Sequence, residues 1–374
     1  MGTPAVPFFL RAMQGVVYTT GVQPRLPSSD FSFDLPSELI AQEPVPARSA
    51  ARLLVWERAS GHRIHAHVSD LPSFLRAGDV IVFNDTKVIP ARLYGRTESG
   101  AGVELLVIRR LQARRTSDEQ ELWQCLGRPR KRLRPGATLR FAGGVIATVA
   151  SAHVNGRYEV AFETSDVPAL LQAHGELPLP PYIKRPDGPL PFDRERYQTV
   201  FAAQPGAIAA PTAGLHFTPA LLDALRAVGV TIAFLTLHVG PGTFLPVRTD
   251  DLNEHVMDPE WCEIPAVTAT LVNRAHRDRR RVIAVGTTTT RALESASDES
   301  GHVAAGARWA DRFIKPGVRF RIVDALFTNF HLPGSTLLAL VAAFAGREPV
   351  LAVYEEAVAR RYRFYSYGDA MFIQ

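Results

Sequence analysis

Between residues 88 and 163 the chain carries six short strand-like runs, at 91–96, 103–109, 122–126, 138–141, 145–151 and 157–162, and almost no helical period. Glycine and proline turns separate them, so consecutive runs are joined by tight connections. Strands this short and this closely spaced favour an antiparallel sheet that closes on itself, and a small β-barrel is the expected outcome.

The flanking sequence follows a different rule. Pro36 is placed to open a short helix, and runs at 52–57 and 62–68 surround the turn residues Ala59, Ser60 and Gly61 as a hairpin would. The apolar run 80–83 stops at Asn84-Asp85-Thr86, three residues whose side chains bond local backbone and so favour a loop. A proline-rich connector, Leu177-Pro-Leu-Pro-Pro-Tyr-Ile-Lys, can hold extended polyproline geometry. From about Ala207 strands and helices alternate. Thr218 and Pro219 start a helix that Gly229 ends, 231–239 reads as a buried strand, and 267–277 as a helix. A strand at 282–285, a helix from Arg291, a strand at 324–327, an apolar helix capped by Ser335 and a last helix opened by Pro349 complete the series. Such alternation predicts an α/β class: a mostly parallel α/β main domain, residues 30–87 and 164–374, with an inserted antiparallel β-barrel domain at 88–163. Residues 1–29 have no periodicity and read as a disordered extension or a start-site artefact, with Met13 as another possible start.

Composition excludes several classes. Two cysteines, Cys125 and Cys262, supply neither a disulfide framework nor a cysteine-rich zinc site, and a reducing, cytoplasmic setting is expected. The apolar stretch 337–345 falls well short of the roughly 20 residues that cross a bilayer, so no membrane partner is expected. The net charge of +5 is clustered, with Arg128, Arg130, Lys131, Arg132 and Arg134 close together inside the barrel segment. A patch of this kind suits a polyanion; solvated loops are the plainer reading.

Four segments join a strand to a polar loop: Ala210-Pro-Thr-Ala-Gly-Leu-His-Phe, His238-Val-Gly-Pro-Gly-Thr-Phe, Gly286-Thr-Thr-Thr-Thr-Arg and Thr328-Asn-Phe-His-Leu-Pro-Gly-Ser-Thr. In α/β sheets ligands bind beyond the carboxyl ends of strands, where helix N-termini present free amides. Glycines such as Gly214, Gly240 and Gly242 let backbone approach a ligand, threonines offer hydroxyls, and Arg291 offers a fork for an anion. Any one such loop can be a simple turn, but four in one chain point to a site. His216, His238 and His331 lie in these loops and suit proton transfer near neutrality. No carboxylate stands at ligand spacing from them, so no metal is expected, while His62, His65 and His67 read as a surface strand. Neither a phosphate-binding Gly-x-x-x-x-Gly-Lys loop nor a dinucleotide Gly-x-Gly-x-x-Gly fingerprint is present.

Nine segments, in order, resemble the S-adenosylmethionine:tRNA ribosyltransferase-isomerase family of queuosine biosynthesis. They are Phe33-Asp-Leu-Pro-Ser-Glu-Leu-Ile-Ala, Phe83-Asn-Asp-Thr-Lys-Val-Ile-Pro-Ala-Arg-Leu, Pro178-Leu-Pro-Pro-Tyr-Ile, Arg196-Tyr-Gln-Thr-Val, the Ala210 segment, Thr236-Leu-His-Val-Gly, the Gly286 segment, Thr328-Asn-Phe-His-Leu-Pro and Tyr367-Gly-Asp-Ala-Met. Thr289 replaces the family's usual serine, Gly334 an often-found lysine, and Pro241 a residue that is often not proline.

The resemblance implies transfer and isomerisation of the ribosyl part of S-adenosylmethionine onto 7-aminomethyl-7-deazaguanine in tRNA, giving epoxyqueuosine and releasing adenine and methionine. The donor is then a consumed substrate, no cofactor is implied, and a monomer is expected. Three proton movements follow, and His216, His238, His331 and Asp85 are the candidates for them. Substrate contacts are expected from Asn84, Thr86, Arg92, Thr212, Gly214, Phe217, Gly240, Thr243, Thr287, Thr288, Arg291, Asn329, Tyr367 and Asp369. Among these, Phe217, with Phe244 and Phe330, could face the sulfonium through an aromatic ring. Arg128, Arg130, Lys131 and Arg132 are expected to grip tRNA. A methyltransferase using the same donor and a non-catalytic tRNA-binding protein stay open as alternatives, separated by the products released.

Overall fold

The computed structural model describes residues 25–111, 120–153, 156–186, 188–244, 247 and 249–374. In chain order the elements begin with β1 (Arg52–Trp56), β2 (Arg63–His67), β3 (Val80–Asn84) and β4 (Thr86–Val88). Next come β5 (Arg92–Thr97), β6 (Gly102–Arg110), β7 (Glu121–Arg128), β8 (Thr138–Phe141), β9 (Ile146–Ala152) and β10 (Arg157–Phe162). After α1 (Val167–His174) and α2 (Asp193–Arg196) follow β11 (Gln204–Ala207), α3 (Pro219–Ala227), β12 (Thr231–Leu237), β13 (Glu260–Ile264), α4 (Ala266–Arg277), β14 (Val282–Val285) and α5 (Thr287–Ala296). The chain closes with β15 (Gly306–Ala310), β16 (Ala325–Asn329), α6 (Thr336–Ala345), α7 (Arg347–Ala359) and β17 (Ala370–Ile373).

The main sheet has nine strands in the order β15-β13-β12-β3-β14-β16-β17-β1-β2. Its centre, β12, β3, β14 and β16, is parallel, and β17 pairs parallel with β1; the remaining neighbours are antiparallel. The central strands are apolar without interruption because both faces are covered. Their side chains still alternate between two cores. Val80, Val82, Val282 and Ala284 face one core, with α4 to α7, while Ile81, Phe83, Ile283 and Val285 face the other, with α3.

The inserted strands close into a barrel in the order β10-β7-β6-β5-β8-β9, antiparallel throughout. Leu93, Leu105, Val107, Cys125, Leu139, Val149 and Val160 fill it, joined by Val167, Leu170 and Leu171 of α1, so the barrel's packing unit runs past residue 163. Asp166 caps α1 by accepting from the Ala169 amide at 2.9 Å. Two tethers join barrel to body. β4 pairs in parallel with β11, and Arg92 bridges to Glu176. The proline-rich connector packs here, Leu179 and Ile183 against Val88, Tyr197 and Tyr367.

Several boundaries differ from expectation. The helix at Pro36 is a single 3-10 turn, Ser37–Leu39. α5 begins at Thr287, not Arg291, and within it the threonine hydroxyls are taken up by the preceding turn: Thr289 donates to the Val285 carbonyl at 2.7 Å and Thr290 to the Gly286 carbonyl at 3.1 Å. α7 opens at Arg347, two residues before Pro349. Most of the expected extension, residues 1–24, lies outside the described residues. Within its remainder, Leu26 and Ser28 donate their amides to Asp251 and to the Asp250 carbonyl, against the body. Among the described residues no single helix is long and apolar enough to cross a membrane, and α6, the most apolar, is a core helix.

Candidate active site

Because β12, β3, β14 and β16 run parallel, their carboxyl ends share one edge of the sheet, and the polar loops follow there. Asn84, at the end of β3, ties three elements together. Its amide donates to the Leu237 carbonyl at 2.9 Å and to the Thr288 hydroxyl at 3.4 Å, and its Oδ1 accepts from the Leu237 and Thr86 amides. Gly286, with φ of 90°, turns the chain from β14 into α5, whose first residues Thr287 and Thr288 are buried beside Asn84. The first turn of such a helix presents unpaired amides and a positive partial charge.

The turn after Asn84 aims the candidate proton carriers. The Thr236 hydroxyl donates to Asp85 Oδ1 at 2.6 Å, and the Thr86 hydroxyl lies 2.8 Å from His238 Nδ1. Burial raises the Asp85 carboxyl above its usual range, against the opposing Thr236 hydrogen bond. Burial likewise lowers His238 and keeps it neutral. The His238 ring stacks on Trp261 at 5.0 Å with 19° between planes. Together they wall a cleft of about 130 Å³ between body and barrel, lined also by Gly206, Gly240, Trp309 and the barrel residues Arg109 and Arg157. Arg157 of β10 forms an ion pair with Asp258 across it.

His216 and His331 lie elsewhere. His216 is buried with its Nε2 lacking a partner among the described residues, as does Asn329 Oδ1. Burial pushes its pKa down to about 4. It borders a small cavity shared with Tyr367 and Arg48. His331 is enclosed by core, its Nε2 2.9 Å from the Thr328 hydroxyl and its amide donating to the Tyr354 hydroxyl. Burial takes its pKa to about 3, and it borders neither cavity.

Other candidates have structural partners. Arg291 does not offer its fork to a ligand: Nη1 lies 2.5 Å from Glu260 Oε2, both buried, and Nη2 donates to the Ala310 carbonyl. Glu260 in turn accepts from the Gly240 amide at 2.8 Å, so the pair props the loop after His238. Phe217 packs edge-on against Phe83 and Phe327, and Phe330 against Tyr354, Tyr362 and Phe364; both belong to the core. Asp369 accepts the Arg52 and Arg363 amides, and the Tyr367 hydroxyl donates to Asp193 at 3.3 Å. Thr212 opens the 3-10 turn Thr212–His216, where Gly214 abuts Thr199 and Phe201. Arg92 sits at the barrel's neck, donating to the Leu179 carbonyl. Side chains at Thr243 and Phe244 lie outside the described residues. In the barrel, Arg128 pairs with Glu104, Arg132 donates to the Gly102 carbonyl, and Arg130 and Lys131 complete an exposed turn. The surface histidines are exposed as expected, His65 bonding Tyr362 and Glu356.

Three cleft residues had no signal in the sequence. Trp261 and Trp309 lie on strands, β13 and β15, to which no sequence pattern points, and the role of Gly206 appears only across the fold. Its φ is 151°, and a Cβ there would come within 2.6 Å of His238 Nε2.

The queuosine biosynthesis protein family matches residues 28–373. The S-adenosylmethionine:tRNA ribosyltransferase-isomerase of Citrifermentans bemidjiense is 54% identical over 347 residues, 92% of this chain and 99% of that protein. That of Syntrophotalea carbinolica is 53% identical over 346 residues, again 92% and 99%. A crystal structure of S-adenosylmethionine tRNA ribosyltransferase from Thermotoga maritima aligns with a TM-score of 0.52 at 36% identity, covering 92% of this chain and all of that one.

Proposed function

Since the chain belongs to the queuosine biosynthesis family of S-adenosylmethionine:tRNA ribosyltransferase-isomerases, we propose that its carboxyl-edge cluster moves the ribosyl group of S-adenosylmethionine onto 7-aminomethyl-7-deazaguanine in tRNA. The aminomethyl nitrogen bonds to the ribosyl group and gives up a proton, and the ribosyl 5′ carbon gives up a second. The bonds to sulfur and to adenine break towards the leaving methionine and adenine, ring rearrangement and epoxide closure replace them, and adenine takes one of the two protons while the other goes to solvent. The observation that supports this is the turn Asn84-Asp85-Thr86, whose three side chains bond Thr288 of α5, Thr236 and His238 in turn. A neutral imidazole can accept a proton, and a carboxyl above its usual range can return one. With Arg291 occupied by Glu260, the amides of Thr287 and Thr288 are the better seat for the methionine carboxylate. His216, neutral and facing Asn329, serves a second proton position, and His331 supports the fold.

S-adenosylmethionine is in this reading a consumed substrate, no cofactor is needed, and the enzyme works as a cytoplasmic monomer, which sedimentation of the purified protein checks. The deciding experiment incubates it with S-adenosylmethionine and tRNA carrying the precursor base. Free adenine and methionine are expected in equal amounts; S-adenosylhomocysteine would identify a methyltransferase instead, and binding without turnover a carrier. Within that assay, His238→Ala and Asp85→Asn are expected to lower adenine release about 100-fold or more. Near-normal rates in both would move the chemistry elsewhere.

A further inference from the structure

The body presents to the cleft an aromatic surface for which the chemistry above has no use. Trp261 of β13 and Trp309 of β15 are directly opposed in an antiparallel pair, so both indoles stand on one face of the sheet. They divide the labour. Trp261 is partly covered and stacks on His238, at the inner end of the cleft, whereas Trp309 lies on the edge strand and is 50% exposed. It lines the same cleft as His238. Above it the barrel places Arg109, its guanidinium 5.4 Å from the indole centroid and hydrogen-bonded to the neutral Gln124.

An exposed indole beside an arginine that no described acid neutralises is the arrangement that holds a nucleotide: the ring stacks on the base and the guanidinium meets the phosphate. We infer that Trp309, with Arg109 over it, is the platform on which a nucleobase of the tRNA loop stacks, positioning the modified base for entry towards His238. This rests on the reading of the cleft as a tRNA-modifying site. The adenine of the donor offers the same stacking chemistry, but a small donor has to be enclosed beside His238 and α5, while Trp309 stands at the mouth, where a macromolecule arrives. Trp309 is thus a positioning residue for the second substrate, and Arg109 makes the barrel contribute to the site.

Steady-state kinetics on the full chain, varying each substrate separately, test the assignment. Trp309→Ala is expected to raise KM for tRNA by about 10-fold or more, leave KM for S-adenosylmethionine unchanged and alter kcat by less than about 3-fold; Trp309→Phe restores most of the loss. The half-exposed position makes both variants compatible with folding. As a second readout, tRNA is expected to quench part of the tryptophan emission in the parent protein and not in Trp309→Phe. An unchanged KM for tRNA, a selective rise in KM for S-adenosylmethionine, or equal quenching in the two proteins would each overturn the platform. Absence of tRNA-dependent adenine release by the parent protein would instead overturn the functional reading beneath it.

Discussion

At the scale of single residues, the buried histidines link folding to acid. His216 and His331 have pKa values of about 4 and about 3 in the fold, against 6.5 when unfolded. Between those values the unfolded chain binds more protons than the folded one, so stability is full above 6.5 and is lost as pH falls below it. The slope is roughly 1 kcal/mol per pH unit for each histidine. Thermal melts at pH 7 and pH 5 are expected to show it, and His331→Gln to flatten it; an equal slope in the variant would show that protonation of His331 is not the cause. The Arg291–Glu260 pair gives a second prediction. Arg291→Met strands a buried carboxylate and is expected to cost about 3–5 kcal/mol in denaturant unfolding, a loss that Glu260→Gln, added to it, partly reverses. Stability unaffected by the single change would mean that the arginine is held for a ligand after all.

At the scale of elements, β11 has a task unlike that of a sheet strand. It carries Gly206 up against the His238 ring, and Gly206→Ala would place a methyl group inside the van der Waals radius of the imidazole. That variant is expected to stay folded and to lose adenine release at least 10-fold, because tilting the ring breaks its contact with Thr86; circular dichroism with the adenine assay distinguishes this from unfolding. This element also marks where the sequence stops being readable. Strands such as β3, β8, β10 and β14 were legible because burial on fixed faces imposes a period of two or an unbroken apolar run. Which strand lies beside which was not, since β17 enters between β16 and β1 only through contacts distant in sequence. The site divided in the same way. Loop chemistry exposed the Asn84 turn and the histidines, yet the pairing of Arg291 with Glu260 and the stacking of Trp261 on His238 join residues distant in sequence and have no local signature.

At the scale of the whole molecule, the barrel carries a basic group: Arg130, Lys131 and Arg132 on one turn and Arg128 at the end of the strand leading into it. Reversing Arg130, Lys131 and Arg132 to glutamate is expected to weaken tRNA binding at least 10-fold and to flatten its dependence on salt, with S-adenosylmethionine binding intact. Filter binding across a salt series reads both quantities, and unchanged tRNA affinity would move the RNA contact off this turn.

β4 and β11 also fix how the barrel is carried. β4 leaves the body directly after Asp85, and β11 returns alongside it, with the Asp85 carbonyl accepting from the amides of Ala203 and Gln204. Swinging the barrel would therefore pull apart the same short ladder that aims the candidate carboxylate. The orientation of the barrel and the aim of Asp85 are thus set by one backbone ladder.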